Sequence, residues 1–164
     1  MFGFQKIWKQ PIPPPQRPKG ITLEQRIGIQ AAAEDIWQTL SDPTTWQSWS
    51  PLCTGAEGVI RFGERLKLQH TLGPLSREIH VEIIEWEPDA QIVWRDHIRA
   101  GVRSIRYYEL EKLYDQGTIF CSGEIFQGPL ARRWLRRHGA HYTKAIQAEC
   151  DTLKALMESG TSSS

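Results

Sequence analysis

GPLARRWLRRHGAHYTKAIQAECDTLKALME, residues 128–158, is the longest helical pattern in the chain. Pro129 is tolerated in a first helical turn, and Gly160 marks the end of the pattern. At about 1.5 Å per residue the predicted helix is on the order of 45 Å long. It needs a partner surface, because its apolar residues fall on one broad face at about 100° per residue. These residues are Trp134, Leu135, Tyr142, Ala145, Ile146, Leu153, Leu156 and Met157.

Two polar residues, His138 and Glu149, interrupt the apolar face of this helix. One interpretation is structural: His138 forms hydrogen bonds within the core, and Glu149 lies past the sheet edge in water. The other is that the face lines a partly polar cavity.

The residues before the helix alternate between apolar and polar side chains, which indicates β-strands. A first strand is predicted at about 21–30, followed by short helices at about 34–40 and 44–49. Consecutive strands joined by short turns favour an antiparallel sheet, and no βαβ alternation is present. The predicted fold class is therefore α+β, a curved antiparallel sheet wrapped around the long C-terminal helix. The later strands are expected at about 54–61, 64–72, 76–87, 90–99, 103–113 and 118–126.

The length of 164 residues predicts a single folded domain, here residues 21–158. Residues 1–20 form a Pro-rich arm, either a disordered leader or a segment that docks on its own domain or on a partner, and residues 159–164 a flexible tail.

The net charge of +1 gives no reason to expect nucleic-acid binding. The N-terminal apolar run is too short for a signal peptide, and no run of 18 apolar residues predicts a transmembrane span. Cys53, Cys121 and Cys150 are odd in number and form no CxxC pair, which favours reduced thiols in a cytoplasmic protein.

Several short motifs follow one another in a characteristic order over residues 21–158. They are Ala32–Trp37 with Leu40–Pro43, Trp46–Pro51, Gly63–Leu66, Ile83–Pro88 with Val93-Trp94, Tyr108–Glu111, Gly117-Thr118 and Gly123–Gly128.

This series resembles the START-like (SRPBCC) superfamily, and in particular its polyketide cyclase/dehydrase-like branch. The resemblance implies a helix-grip fold with a deep cavity between the sheet and the C-terminal helix. Members bind or carry lipids, sterols, polyketides or other apolar molecules, and some cyclise or dehydrate them.

A cavity between the sheet and the helix should be lined mostly by apolar and aromatic side chains with a few polar groups. Trp46 and Trp49 are expected near its mouth. The alternative for each residue is plain core, and a one-residue slip of a strand would exchange its faces. The candidate ligand-binding residues are Trp49, Leu66, Leu68, His70, Trp94, Tyr108, Leu110, Trp134, His138 and Tyr142.

An enzyme of this kind needs an acid/base group, such as a His or a carboxyl of raised pKa in an apolar site. The candidates are His70, His138, Glu124 and Glu149, although no spacing marks any of them as catalytic.

No metal or other cofactor is expected. His138 and His141 are three apart, but no Cys or carboxylate lies at a supporting spacing. Phosphate-binding glycine loops and a GxSxG motif are also absent from the sequence.

Arg132, Arg133, Arg136 and Arg137 form a basic cluster in the first turns of the long helix. They form either a solvated face paired with acidic residues of the sheet or a peripheral contact with an anionic head group, a membrane surface or an acidic partner. These arginines with one interleaved Trp do not predict nucleic-acid binding.

Three functions are compatible with this sequence. The first is binding or transport of a small hydrophobic or amphipathic ligand, which predicts an apolar cavity with few convergent polar groups. The second is a cyclase or dehydratase, which predicts polar side chains meeting in the cavity with at least one perturbed pKa. The third is a protein-interaction module, which predicts a closed core and an exposed apolar or basic patch.

Overall fold

One seven-stranded antiparallel sheet and a long C-terminal helix make up the fold in the computed structural model, which describes residues 17–114 and 116–160. The strand order is β1-β7-β6-β5-β4-β3-β2. The predicted α+β helix-grip fold is therefore confirmed. The elements are β1 (Ile21–Ile29), α1 (Ala33–Leu40), a 3-10 helix (Pro43–Ser48), β2 (Cys53–Glu57), β3 (Arg65–Leu72), β4 (Leu75–Glu87), β5 (Gln91–Arg99), β6 (Val102–Lys112), β7 (Thr118–Gln127) and α2 (Ala131–Ser159).

The sheet is curved. The register shifts between Cys53 and Gly55, between Ile83 and Glu85, and between His97 and Arg99. Because a bulge bends its strand and increases the local twist, these shifts help the sheet to wrap around α2.

The two short helices are fixed by local chemistry and cover one end of the core. The acidic residues of α1, Glu34 and Asp35, lie in its first turn, where the helix dipole favours negative charge. The Asp42 side chain accepts a hydrogen bond from the Thr44 backbone N–H at 3.1 Å and so caps the 3-10 helix. The Trp46 indole then donates to the Leu40 carbonyl at 2.9 Å, which ties the two helices together.

The long helix begins at Ala131, three residues later than the Gly128-Pro129 start predicted from the sequence. Gly128 has a positive φ of 106°, and a Cβ there would lie 2.4 Å from the Gly101 carbonyl oxygen. Only glycine fits this position, so the chain turns here before it becomes helical. Leu156, expected on the buried face, is 43% exposed, whereas the adjacent Met157 packs against the core.

The concave side of the sheet buries two apolar clusters against the helices. One joins α1 and the 3-10 helix to Cys150 and Leu153 of α2, and the other surrounds Tyr142 and Ile146 nearer the start of α2. The cavity described below takes its walls from residues of both clusters.

A smaller apolar cluster around Tyr107 covers the convex side of the sheet. Arg17 lies against it, with its guanidinium 4.3 Å from the Tyr107 ring centroid and bonded to Glu24 and Glu109. Residues 17–20 of the predicted arm therefore run along the domain. The rest of the arm, residues 1–16, and residues 161–164 of the predicted tail lie outside the described residues.

Candidate functional site

An interior cavity of about 30 Å³ lies between the concave face of the sheet, the 3-10 segment and α2. Its walls combine apolar rings and aliphatic groups with an unusual number of polar side chains. The lining residues are Trp46, Ser50, Leu52, Cys53, Leu68, His70, Ile79, Trp94, Asp96, Ser104, Arg106, Tyr108, Glu124 and Glu149.

A buried ion pair between Arg106 of β6 and Glu149 of α2 forms one wall of the cavity. The Glu149 carboxylate also accepts hydrogen bonds from Ser50 at 2.5 Å, Tyr108 at 3.0 Å and Ser122 at 2.6 Å. Burial lowers the pKa of the Arg106 guanidinium, but Glu149, Tyr108 and Glu124 together outweigh this effect and the pKa is raised. Arg106 is therefore held charged in the interior, with its charge matched by the carboxylate.

Arg106 reaches the cavity because of the alternation in β6. Ser104, Arg106, Tyr108 and Leu110 are all buried residues of even number, so they point to the concave face. Arg106 is directly opposite Glu124 on β7, and its Nε lies 3.8 Å from Glu124 Oε2. On α2, Glu149 belongs to the buried stripe formed by residues 142, 146, 149 and 153.

Two polar atoms that line the cavity, Ser104 Oγ and Glu124 Oε2, are buried and make no hydrogen bond of normal geometry within residues 17–114 and 116–160, although Glu124 Oε2 lies 3.8 Å from Arg106 Nε. Burial raises the pKa of the Glu124 carboxyl to about 7, although Arg106 and the nearby Ser104 hydroxyl oppose the shift. Around neutral pH this carboxyl therefore exchanges between a proton donor and an acceptor, which is the behaviour required of a general acid or base.

His70 of β3 lines the cavity, and its ring centroid is 6.5 Å from that of Tyr142 on α2. Burial, together with the positive charges of Arg77 and Arg106, lowers the pKa of His70 to about 4. The imidazole is therefore neutral at physiological pH. Asp96 is bound to Arg77 at 2.7 Å, so its charge is compensated as well.

The apolar side of the cavity is a cluster of aromatic rings. The Trp46 and Trp94 centroids are 5.3 Å apart in a stacked arrangement, and Tyr108 meets Trp94 edge to face at 5.1 Å. Trp49 also packs against Tyr108, with the two ring centroids 5.3 Å apart. We call Trp46, Trp94 and Tyr108 the ring cluster.

The sequence-predicted candidates divide into three groups in the structure. Leu68, His70, Trp94, Tyr108, Glu124 and Glu149 meet at the cavity. Trp49, Leu66, Leu110 and Tyr142 are buried in the core but do not line the cavity. Trp134 and His138 lie outside it, with ring centroids 4.1 Å apart, and Trp134 borders a surface groove.

Two expectations were wrong in detail. Glu149 does not lie past the sheet edge in water but is fully buried, because it is the acceptor for donors from three elements. Trp46 and Trp49 do not form an exposed mouth: they are 0% and 2% exposed, since both pack against Tyr108.

Four polar residues that line the cavity, Arg106, Ser104, Asp96 and Ser50, were not predicted from the sequence. Tyr108 and Leu110 were predicted to face the cavity. Because side chains in a strand alternate, the residues two and four positions before Tyr108, Arg106 and Ser104, lie on the same concave face and could have been predicted there. No comparable pattern identifies Ser50, which reaches Glu149 from the loop after the 3-10 helix.

Within residues 17–114 and 116–160, no group of three His, Cys, Asp or Glu side chains is arranged to hold a metal ion. The same residues contain no helix long and apolar enough to cross a membrane.

Residues 20–158 match the sequence profile of a family described as polyketide cyclase / dehydrase and lipid transport. The chain belongs to this family. The match confirms the resemblance seen in the motifs and spans the whole folded domain. A search of curated proteins found no significant match.

The fold of this family member resembles that of several solved structures. Protein MLL2253 from Mesorhizobium loti is 17% identical, with a TM-score of 0.67 over 85% of this chain and 98% of that one. A START superfamily protein from Mycobacterium smegmatis is 16% identical, with a TM-score of 0.58 over 80% of this chain and 98% of that one.

The di-domain ARO/CYC protein BexL from the BE-7585A biosynthetic pathway is 15% identical, with a TM-score of 0.65. The alignment covers 81% of this chain and 46% of BexL. At these identities the similarities establish the fold and not the ligand.

Proposed function

We propose that this domain binds a small amphipathic molecule in the interior cavity, with its polar group between Ser104 and Glu124. The observation that carries the proposal is that two neighbouring buried atoms, Ser104 Oγ and Glu124 Oε2, both line the cavity and neither makes a hydrogen bond of normal geometry within residues 17–114 and 116–160. A buried polar atom without a partner destabilises a protein by about 1–3 kcal/mol. A ligand hydroxyl beside both groups can accept a hydrogen bond from Ser104 Oγ and donate one to Glu124 Oε2.

The charges around the cavity favour a ligand whose polar group is uncharged. Arg106 is already matched by Glu149, and Asp96 by Arg77. Glu124, with its pKa raised to about 7, is largely protonated below neutral pH and then adds no charge. A ligand carboxylate or phosphate would enter without a free cation to pair with, which is costly in a buried site.

The size of the cavity indicates how such a ligand is accommodated. A volume of about 30 Å³ has room for a group the size of one or two waters. Pockets for drug-sized molecules measure roughly 300–1,000 Å³. The polar group of the ligand fits as the cavity stands, whereas its apolar part requires the ring cluster to move aside.

The test is a titration of the ¹⁵N-labelled chain with 2-naphthol, which carries one hydroxyl on an apolar ring system. We expect the indole N–H signals of Trp46 and Trp94 to shift. Glu124→Gln keeps the shape of the side chain but removes its proton exchange, and Ser104→Ala removes the hydroxyl. Loss of one hydrogen bond worth about 0.5–1.5 kcal/mol weakens binding by roughly 2- to 10-fold.

The matched control for this titration is Glu111→Gln, an exposed carboxylate paired with Arg26 on the sheet surface. It should leave the affinity unchanged. Shifts confined to surface residues, or equal affinities for Glu124→Gln, Ser104→Ala and the unaltered chain, would contradict binding at this site. Native mass spectrometry of the purified chain is the complementary experiment, because a released molecule identifies the ligand class.

A second candidate function is acid–base catalysis of water loss or ring closure. The specific observation in its favour is the carboxyl of Glu124, whose pKa of about 7 suits proton transfer at neutral pH. The test is incubation with an aryl β-hydroxyketone, followed by mass spectrometry for the loss of water. Catalysis requires turnover that Glu124→Gln abolishes while 2-naphthol binding persists, and unchanged turnover in that variant excludes Glu124 as the acid or base.

A further inference from the structure

A strongly basic surface lies at the end of the molecule where β5 turns into β6 and α2 begins. Its arginines are exposed, and within residues 17–114 and 116–160 none of them pairs with a carboxylate. We call this region the arginine surface. It consists of Arg99, Arg132, Arg133, Arg136 and Arg137.

The arginine surface concentrates positive charge in a protein that is nearly neutral overall. The chain has 20 Lys and Arg against 19 Asp and Glu, yet residues 97–108 and 125–148 contain no acidic residue. The remainder of the chain is therefore net acidic. An uneven distribution of this kind orients a protein toward an anionic partner and raises the rate of encounter.

Apolar side chains lie among these arginines. A surface groove of about 220 Å³ is bordered by Arg99, Arg133 and Arg137 together with Leu130 and Trp134. Leu130 is 42% exposed, and the Arg99 guanidinium lies 6.0 Å from the Trp134 ring centroid. An exposed aliphatic tip, an amphipathic indole and surrounding guanidinium groups are the combination found at the water–membrane interface.

We propose that the arginine surface docks this domain on an anionic membrane, with a lipid phosphate in the groove and Leu130 among the head groups. A membrane fits better than a single soluble phosphate for two reasons. The arginines extend over two chain segments and two turns of α2, so they face several head groups at once. Leu130 also gains an apolar environment from a lipid surface, which a soluble phosphate does not provide.

The position of this surface relates it to the cavity. Ser104 is three residues beyond Gly101 in β6, or about 10 Å along the strand, and is paired with Asp96. A membrane docked at this end therefore faces the ends of β5 and β6 that lie nearest to Ser104 and Glu124. The docking proposal does not require that the cavity binds a ligand, and its experiment has no ligand in it.

The experiment is flotation of the full chain with vesicles of phosphatidylcholine alone and with vesicles containing one third phosphatidylglycerol. We expect binding to the anionic vesicles only, weakened by added salt. The double variant Arg133→Gln/Arg137→Gln should bind roughly 10- to 30-fold more weakly, since each arginine near the surface contributes a factor of about 5.

The matched control is Arg61→Gln/Arg65→Gln, which removes the same charge from two exposed positions, one in the loop before β3 and one at the first residue of β3, three strands away from β6 in the sheet. It should retain nearly full binding. Leu130→Ser tests the apolar contact without changing the charge, and serine suits the N-cap position that Leu130 occupies. We expect it to weaken vesicle binding several-fold with an unchanged melting temperature.

Several results would overturn the proposal. One is equal binding to both vesicle types, and another is an equal loss in the two arginine double variants. A third is that soluble glycerol phosphate saturates the groove in an NMR titration while the chain does not bind vesicles. Arginine-dependent binding of duplex DNA in place of vesicles would identify a different partner. The variants substitute exposed, unpaired side chains, and melting curves verify that they fold.

Discussion

Replacing Glu149 by leucine should destabilise the protein by about 3–5 kcal/mol, because it leaves the Arg106 charge buried without a counter-charge. Glu149 is 0% exposed, and Arg106 is 5% exposed. The substitution also removes the acceptor for the hydroxyls of Ser50, Tyr108 and Ser122. Native proteins have only about 5–15 kcal/mol of stability, so the loss is a large fraction of the total.

The assay is urea unfolding of the single variants and of the double variant Arg106→Met/Glu149→Leu. Removing both charges eliminates the unpaired ion, so the double variant should be more stable than either single variant. The surface substitution Glu111→Gln, at a largely exposed ion pair with Arg26, is the control and should cost less than about 1 kcal/mol.

Two outcomes would refute the reasoning. A loss below about 1 kcal/mol for Glu149→Leu would mean that water reaches Arg106 in solution, so the pair is not buried. A double variant whose loss equals the sum of the single losses would mean that the two groups do not interact.

Two further predictions concern the pH dependence of stability and the packing of the sheet. The pKa of Glu124 is raised from 4.5 to about 7, so the protein loses stability as pH rises through that range. The pKa of His70 is lowered from 6.5 to about 4, so the protein loses stability as pH falls through that range. Denaturant unfolding at a series of pH values tests both shifts. Glu124→Gln should gain stability relative to the unaltered chain as pH rises from 4.5 to 7, by up to roughly 3 kcal/mol, and His70→Gln should gain stability relative to it as pH falls. Stability curves that run parallel to that of the unaltered chain would contradict both shifts. Gly123→Ala would place a Cβ 2.2 Å from the Tyr107 ring and should lower stability by about 1–3 kcal/mol in thermal melts, whereas Gly28→Ala, with open space around it, should be nearly neutral.

The fold was predictable from the sequence because local patterns and long-range packing agree. The strands alternate with a period of two, the turns contain Gly and Pro, and the last helix carries an apolar stripe. The start of α2 was less predictable, since Gly128 turns the chain at a positive φ and lies against the Gly101 carbonyl. That contact joins residues distant in sequence, and no local pattern encodes it.

The candidate site was only partly predictable, for a physical reason. Apolar residues identify a buried face by periodicity, but a buried charged residue contradicts the pattern that identifies the face. Arg106 looks like a surface residue until its partner Glu149, 43 positions later, is placed across from it. Glu149 was noticed because it interrupts an apolar stripe, but the stripe alone could not show whether donors meet it.

The hydrogen bonds of Glu149 also indicate how the cavity opens. Moving α2 away from the sheet breaks the ion pair with Arg106 and the bonds from Tyr108 and Ser122, and it separates two buried charges. Of the Glu149 bonds, moving the loop after the 3-10 helix breaks only the one from Ser50, at a cost of about 1.5–3 kcal/mol, but it also breaks the backbone bond from the Thr71 N–H to the Leu52 carbonyl. Enlarging the cavity on its apolar side also requires Trp46 to leave the ring cluster, which breaks its indole bond to the Leu40 carbonyl. Both movements leave Arg106 and Glu149 paired, whereas a movement of α2 separates them.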